Sequence, residues 1–277
     1  MSQNYKMIIQ YEGTRYDGWQ KQGNTENTIQ GKLEKVLARM TGFPVEVHGS
    51  GRTDAGVHAM GQVANFHLPD GWKPEESQNQ EKNQKNDWHK NGAHDRKQFA
   101  VADWIRDYCN QYLPDDIAVT ELTPASERFH ARLSAVKKIY TYQIETGVKR
   151  NVFSRRTCYG LGQPLNVKAM QKAADLLCGT HDYKSFCGNK KMKKSTVRTI
   201  YRIDVKQDAG SSLVKLEFEG NGFLQNMVRI LTGTLIEVGL GKRDAGTMPE
   251  VLAALDRQAS GYTAPAEGLC LKKVFYE

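Results

Sequence analysis

The sequence lacks the features of a membrane-spanning or exported protein. No apolar run approaches the roughly 20 residues that a transmembrane helix needs, and the first six residues lack the apolar stretch of a signal peptide. Cysteine is scarce: the five residues are far apart and never form a Cys-x-x-Cys pair, which argues against a disulfide framework and a zinc site. We therefore expect a soluble, cytoplasmic protein with reduced thiols and no membrane association.

Positive charge is present but unevenly distributed. The 277 residues carry a net charge of +8, with a pI of about 9.1. Residues 1–127 have a net charge of −4, whereas residues 128–277 have a net charge of +12. Three basic clusters, at 149–150, 155–156 and 190–194, suit phosphate neutralisation, although any one of them could be an ordinary solvated surface. Together they favour a nucleic-acid partner.

The apolar residues alternate between strand-like and helical spacing, in the same order in both halves. In the first half the spacing predicts strands and helices in the order β-α-β-β-α-β, at residues 7–11, 29–40, 45–48, 62–68, 99–112 and 117–119. In the second half it predicts the same order at residues 140–144, 167–177, 201–205, 214–218, 224–238 and 269–276, with a short extra helix at 248–255. This order is that of the split βαβ unit.

We therefore predict an α+β fold of two ferredoxin-like halves, residues 1–127 and 128–277, with mostly antiparallel sheets and a ligand cleft between the halves. Residues 73–98 do not fit this pattern, because they are rich in Gln, Asn, Lys and Glu and contain few apolar side chains. Such a segment buries too little surface to offset its ordering entropy. We interpret it as a mobile insertion; an extra RNA-contacting arm is the less favoured alternative, because its charges nearly cancel.

A glycine-rich stretch from Gly49 to Gln62 places a lone carboxylate, Asp54, on a tight turn. Its four glycines permit positive φ angles and close approach of another chain, which favours an active-site loop. An aspartate that caps its own turn is the alternative. His48 and His58 lie nearby, but their spacing matches no metal-binding pattern, so a metal-dependent hydrolase built from them and Asp54 is a weak hypothesis.

Arg229 lies among apolar residues of a predicted helix, where a buried unpaired charge would cost roughly 3–5 kcal/mol. We expect Asp54 to be its partner and the pair to lower the pKa of Asp54, because a nearby cation favours the ionised form. An ionised aspartate can act as a nucleophile. The alternative places Arg229 on the narrow polar side of the helix with Gln225 and Asn226.

Tyr140 and Tyr142 share one face of a predicted strand, next to Lys137 and Lys138. Aromatic rings beside cations suit base stacking and phosphate contact. Core packing is the alternative, and composition alone favours it somewhat, because tyrosine is common in strands.

The loop Gly51-Arg52-Thr53-Asp54-Ala55-Gly56-Val57-His58-Ala59 resembles the signature loop of the tRNA pseudouridine synthase A family. Other segments resemble motifs of that family in the family's order: residues 11–20, 129–132, 140–142, 220–224 with 227–229, and 264–269. The resemblance implies the pseudouridine synthase fold. It also implies an enzyme that isomerises uridines 38–40 of the tRNA anticodon stem-loop, with no cofactor and no catalytic metal, and that works as a homodimer with tRNA held across both subunits.

The resemblance also assigns roles to single residues. Asp54 is similar to the catalytic aspartate, which acts on C1′ of the ribose or C6 of the uracil. Tyr140 corresponds to the tyrosine that stacks on the target uracil, Arg229 to the arginine paired with the aspartate, and Arg52 to the arginine that displaces the target base. Further expected tRNA contacts are Phe129, His130, Arg132, Lys190, Lys191, Lys193 and Lys194. A tRNA-binding chaperone without catalysis is the remaining alternative.

Overall fold

The structure, a computed structural model, describes residues 2–74, 93–149, 151–189 and 191–276. The described strands are β1 Ser2–Tyr11, β2 His48–Gly49, β3 His58–Pro69, β4 Ile117–Ala125, β5 Ala135–Glu145, β6 Tyr159–Gly160, β7 Gly179–Asp182, β8 Val197–Gln207, β9 Leu213–Gly220 and β10 Leu269–Tyr276. The described α-helices are α1 Ile29–Thr41, α2 Ala93–Tyr112, α3 Val167–Leu176, α4 Met227–Gly239 and α5 Met248–Ala253. The predicted α+β class with a mostly antiparallel sheet is confirmed.

Two compact units make up the fold. The first lies within Met1–Tyr11, Arg15–Arg52 and Gly61–Ala135, and the second within Glu12–Thr14, Thr53–Met60 and Val136–Glu277. The residues that carry Asp54 therefore belong to the unit formed mainly by the C-terminal half. The division into residues 1–127 and 128–277 stays a prediction.

In the first unit, β1 lies between β3 and β4, and β1 pairs antiparallel with β4 from Asn4 opposite Ala125 to Tyr11 opposite Ile117. Helix α1 begins because the hydroxyl of Thr28 accepts a hydrogen bond from the Gly31 N–H. It ends at Gly42, which has a φ of 78° and therefore suits glycine.

In the second unit, the strands follow the order β10, β5, β9, β8, β7. Neighbours from β5 to β7 pair antiparallel, whereas β10 runs parallel to the first residues of β3. Helix α4 is apolar on almost every side, and eleven of its thirteen residues are buried, as expected for a helix inside a core. The two that are not buried are Arg229 and Glu237, and both pair with opposite charges.

Several predicted boundaries were wrong, and three of them lie near the Asp54 loop, at the start of α4 or in the segment predicted as an insertion. The strand predicted at residues 45–48 is reduced to His48–Gly49, which pairs with Asn65 and Ala64 of β3. Helix α4 begins at Met227 and not at residue 224, because the left-handed backbone of Asn226 keeps the preceding residues out of the helix. Helix α2 begins at Ala93, inside the segment predicted as an insertion, and residues 75–92 of that segment lie outside the described residues. None of the described helices is long and apolar enough to cross a membrane.

Candidate active site

The loop that carries Asp54 is held by a buried histidine at the start of β3. The Gly13 N–H donates to Nδ1 of His58 over 3.0 Å, and Nε2 of His58 lies 3.1 Å from the carbonyl oxygen of Glu267. Because Nδ1 accepts a hydrogen bond, the ring is neutral with its proton on Nε2, and burial lowers the pKa of His58. The carboxylate of Glu12, 3.5 Å from Nδ1, is therefore a polar neighbour of a neutral ring rather than half of an ion pair.

Two glycines allow the loop to pack tightly against the same two segments. A Cβ atom on Gly13 would lie 2.0 Å from the carbonyl oxygen of Val57. Gly56 has a φ of 78°, and a Cβ atom there would lie 3.1 Å from the Cβ of Ala266. The contact between Gly13 and the backbone of Val57 leaves no space for a side chain, and the contact between Gly56 and Ala266 leaves little.

The structure brings Asp54 and Arg229 together. Nη1 of Arg229 lies 3.6 Å from Oδ2 of Asp54, and their side chains are 18% and 31% exposed respectively. Arg229 is the third residue of α4, and its Nε donates to the carbonyl oxygen of Ala264 over 2.7 Å. Its Nη1 also donates to Oδ1 of Asn226 over 3.2 Å. The guanidinium is therefore oriented by two neutral acceptors and one carboxylate.

The predicted lowering of the Asp54 pKa is wrong in direction. Burial raises the pKa of Asp54, and the attraction of Arg229 offsets this only in part. A contact of 3.6 Å at a partly exposed site is too weak to compensate for the lost solvation of the carboxylate. Asp54 therefore takes up a proton at a higher pH than an ordinary aspartate does.

Tyr140 lies on β5, where it pairs with Phe218 of β9, and it is 8% exposed. Its ring meets Phe223 edge to face, with centroids 5.2 Å apart. Tyr142 is fully buried, and its hydroxyl donates to the carbonyl oxygen of Pro265. The two tyrosines therefore differ: Tyr142 serves the core, while Tyr140 keeps a small exposed surface.

Comparison with known proteins identifies the family. Residues 7–133 and 173–277 match the family described as tRNA pseudouridine synthase. The tRNA pseudouridine synthase A 2 of Bacillus cereus (strain ZK / E33L) is 43% identical over 271 residues, which cover 98% of each chain. The tRNA pseudouridine synthase A of Geobacillus kaustophilus (strain HTA426) is 43% identical over 278 residues, covering 100% of this chain and 96% of that one. The tRNA pseudouridine synthase A 1 of Clostridium tetani (strain Massachusetts / E88) is 41% identical over 273 residues, 99% of each chain.

This chain belongs to the tRNA pseudouridine synthase family. It is accordingly an isomerase that acts on tRNA uridine. Asp54, Arg52 and Arg229 lie within the residues matched to the family, whereas Tyr140 lies between the two matched ranges.

The residues expected to contact tRNA fall into both units. In the first unit, Arg52 is exposed and its Nε donates to Oε1 of Gln20. The ring of His130 stacks on His48 with centroids 5.2 Å apart. Further members of this group are Phe129, whose ring lies 5.6 Å from Nζ of Lys6, and the exposed Arg132.

In the second unit, Lys191, Lys193 and Lys194 are exposed and follow Asn189, whose Oδ1 accepts from the Lys191 N–H. Their ammonium groups are thus available to a polyanion. Lys190 lies outside the described residues. Within the described part of the chain, no group of three or more His, Cys, Asp or Glu residues is arranged to hold a metal ion.

Sequence reasoning missed the part that His58, Gly13 and Asn226 play around the candidate site. His58 stood only as a weak metal-ligand candidate, yet both ring nitrogens contact backbone groups. Asn226 stood only as a polar neighbour of Arg229 on the helix, yet its side chain bonds to the guanidinium. All three residues lie in or beside the motifs quoted above, and this proximity is the signal that could have revealed them.

Proposed function

We propose that this chain converts uridines 38–40 of the tRNA anticodon stem-loop into pseudouridine, with Asp54 as the catalytic residue. The main support for the proposal is the pair of Asp54 and Arg229, whose Oδ2 and Nη1 atoms are 3.6 Å apart. Asp54 lies on the loop that Gly13 and His58 hold in place, and Arg229 lies on α4. Both members of the pair lie within the residues matched to the tRNA pseudouridine synthase family.

The proposed reaction rearranges one nucleotide without adding or removing atoms. The bond from C1′ of the ribose to N1 of the uracil breaks, the base rotates, and a bond forms between C1′ and C5. The proton on C5 is then lost, and N1 gains one. The Asp54 carboxylate attacks either C1′ or C6, and Arg229 favours its ionised form. The bond that Asp54 forms breaks again before the product leaves, which returns the free carboxylate. Tyr140 stacks on the uracil and helps to remove the C5 proton.

A uridine inside a stem must leave the base stack before Asp54 can reach it. Unstacking and unpairing cost a few kcal/mol, and contacts with the phosphate backbone offset that cost. Arg52 is proposed to occupy the space of the displaced base. The exposed Lys191, Lys193 and Lys194 are proposed to bind phosphates, together with Phe129, His130 and Arg132.

We further propose that the enzyme is a cytoplasmic homodimer that uses neither cofactor nor metal and holds tRNA across both subunits. Support comes from the family motifs and from the positive charge of residues 128–277. Light scattering on the purified protein, with and without tRNA, measures the oligomeric state.

Replacement of Asp54 tests the catalytic role. Wild type is expected to release tritium from tRNA labelled at C5 of uridine, whereas Asp54→Asn should lose at least about 1000-fold in kcat/KM, or about 4 kcal/mol, with unchanged tRNA binding. Burial raises the pKa of Asp54. As the pH is lowered, wild-type activity should therefore begin to fall at a pH above the ordinary pKa of an aspartate. Asp70→Asn, at an exposed aspartate, is the matched control.

Mapping of the modified positions in an anticodon stem-loop then tests the substrate. Pseudouridine at positions 38–40 supports the proposal, and modification only at other tRNA positions overturns that part of it. Full activity of Asp54→Asn would refute the catalytic role. A wild-type protein that binds tRNA but releases no tritium would indicate a chaperone.

A further inference from the structure

Asn226 has a left-handed backbone and does not use its side chain to cap the helix that follows. It has a φ of 58° and a ψ of 3°, and Leu255 is the other non-glycine residue with positive φ in the described part of the chain. It stands at the N-cap of α4, where an asparagine normally has an extended backbone and accepts a hydrogen bond from the first turn. Its side chain makes no such cap. Asparagine adopts the left-handed backbone more readily than most residues, and here it does so without the capping hydrogen bond, which points to another use of its side chain.

That use is visible in the contacts of its amide. Oδ1 of Asn226 accepts a hydrogen bond from Nη1 of Arg229 over 3.2 Å, and the same Nη1 lies 3.6 Å from Oδ2 of Asp54. The left-handed backbone therefore turns the amide away from the helix end and towards the guanidinium. The carbonyl oxygen of Ala264 holds Nε of Arg229, and Oδ1 of Asn226 holds Nη1. These two hydrogen bonds orient the guanidinium relative to Asp54.

The other end of the amide lies close to a glycine. A Cβ atom on Gly188 would lie 2.5 Å from Nδ2 of Asn226 and 3.1 Å from its Cβ. The Gly188 N–H donates to the carbonyl oxygen of Gln225 over 2.8 Å, so the two segments are joined next to the contact. With Nδ2 against Gly188, Oδ1 is the end that faces Arg229, and the amide is oriented as an acceptor.

We propose that Asn226 is a positioning residue for the reaction, because it orients Arg229 against Asp54. Glycine at position 188 leaves space for the amide of Asn226. This inference rests on the proposed catalytic role of Asp54. A neutral amide suits the role because it accepts from the guanidinium without cancelling its charge. A carboxylate in the same place would compete with Asp54 for Arg229.

The first test separates the side chain from the backbone. Asn226→Gly removes the amide but tolerates positive φ, whereas Asn226→Ala removes the amide and keeps the strain. Both should lose roughly 10- to 100-fold in kcat, the range for a lost hydrogen bond to a charged group, with unchanged tRNA binding. Only the alanine variant should also lose thermal stability. Leu255→Gly relieves strain at the other such residue and should keep wild-type kcat.

The second test uses the contact with Gly188. In the wild-type background, Gly188→Ala should push the amide off Arg229 and lower kcat to the level of Asn226→Gly. In the Asn226→Gly background the three atoms nearest to the added Cβ are gone, so the same alanine should cause no further loss. Independent, multiplying losses would show that Gly188 acts by another route and would overturn its part of the proposal.

The third test reads the electrostatics directly. Asn226→Asp adds an anion beside Arg229, so the acid limb of kcat/KM should move to higher pH, because the pKa of Asp54 rises further. A purely structural role would leave that limb unmoved. If wild type is active, Asp54→Asn is inactive and Asn226→Gly equals wild type, the positioning role fails while the proposed function stands. If wild type is inactive, the proposed function itself fails, and this inference with it.

Discussion

The fixed position of the Asp54 loop gives a sharp prediction at Gly13, a residue far from Asp54 in sequence. A Cβ atom added there would lie 2.0 Å from the carbonyl oxygen of Val57 and 2.6 Å from its carbonyl carbon. Both are backbone atoms, so no side chain can rotate away. Gly13→Ala must therefore move either its own segment or the loop that carries Asp54.

The size of the effect follows from the distances. Cβ contacts shorter than 3.0 Å are essentially never seen, so Val57 and Gly13 must separate by at least about 1 Å. A displacement of 1 Å in a catalytic constellation costs about 100-fold in rate, which corresponds to about 2.7 kcal/mol. The Gly13 N–H also donates to His58, so the same movement weakens that bond. We expect kcat/KM to fall about 100-fold.

Tritium release from uridine-labelled tRNA measures the rate, and filter binding measures tRNA affinity. The control is Gly160→Ala, where an added Cβ meets no atom within 4 Å and φ lies outside the left-handed range. That variant should match wild type in both assays. Gly13→Ala with wild-type kcat/KM would show that the loop can shift without consequence and would refute the reasoning.

His58 and the exposed lysines of the second unit give two further testable expectations. Burial lowers the pKa of His58, so below the ordinary histidine value of about 6.5 the unfolded chain binds more protons than the folded one, and stability falls as pH falls. Thermal denaturation from pH 7.5 to pH 5 should show this loss of stability in wild type but not in His58→Asn. Equal pH profiles of the two proteins would contradict the prediction. Replacing Lys191, Lys193 and Lys194 with alanine should reduce the slope of log K for tRNA binding against log salt concentration by roughly 0.7–0.9 per lost phosphate contact, without changing kcat. An unaltered slope would show that these lysines face solvent in the complex.

Sequence patterns predicted the elements of the fold better than their ends. Helix α4 was predictable because its residues are apolar on almost every side. The start of the helix at Met227 was not predictable. Asn226 belongs to the same apolar and amide-rich run, and only its left-handed backbone shows that the helix begins after it. The strand predicted at residues 45–48 shows a similar limit. Its side chains alternate as a strand requires, yet Val45 and Val47 are buried without a strand partner.

The charged pair of the candidate site was predictable from the sequence, but its electrostatics were not. Arg229 could be paired with Asp54 in advance, because a charge in an apolar helix needs a partner and the family motif contains the aspartate. The direction of the shift in the Asp54 pKa depends on the balance between burial of the carboxylate and its 3.6 Å contact with Arg229. Neither the burial nor the distance can be inferred from the sequence. The same holds for His58, whose neutral ring follows from two backbone contacts distant in the chain.

The glycines of the Asp54 loop serve both purposes that the sequence suggested. Gly56 has a φ of 78°, and a Cβ on Gly49 would lie 2.5 Å from the ring of Trp19. The close contact at Gly49, like the one between Gly13 and Val57, restricts the movement of the loop. A carboxylate held this firmly cannot travel to a stacked base, so in the proposed reaction the nucleotide must make the whole movement. The energy of flipping then has to come from contacts with tRNA outside the loop, which is the role proposed for Arg52 and the exposed lysines.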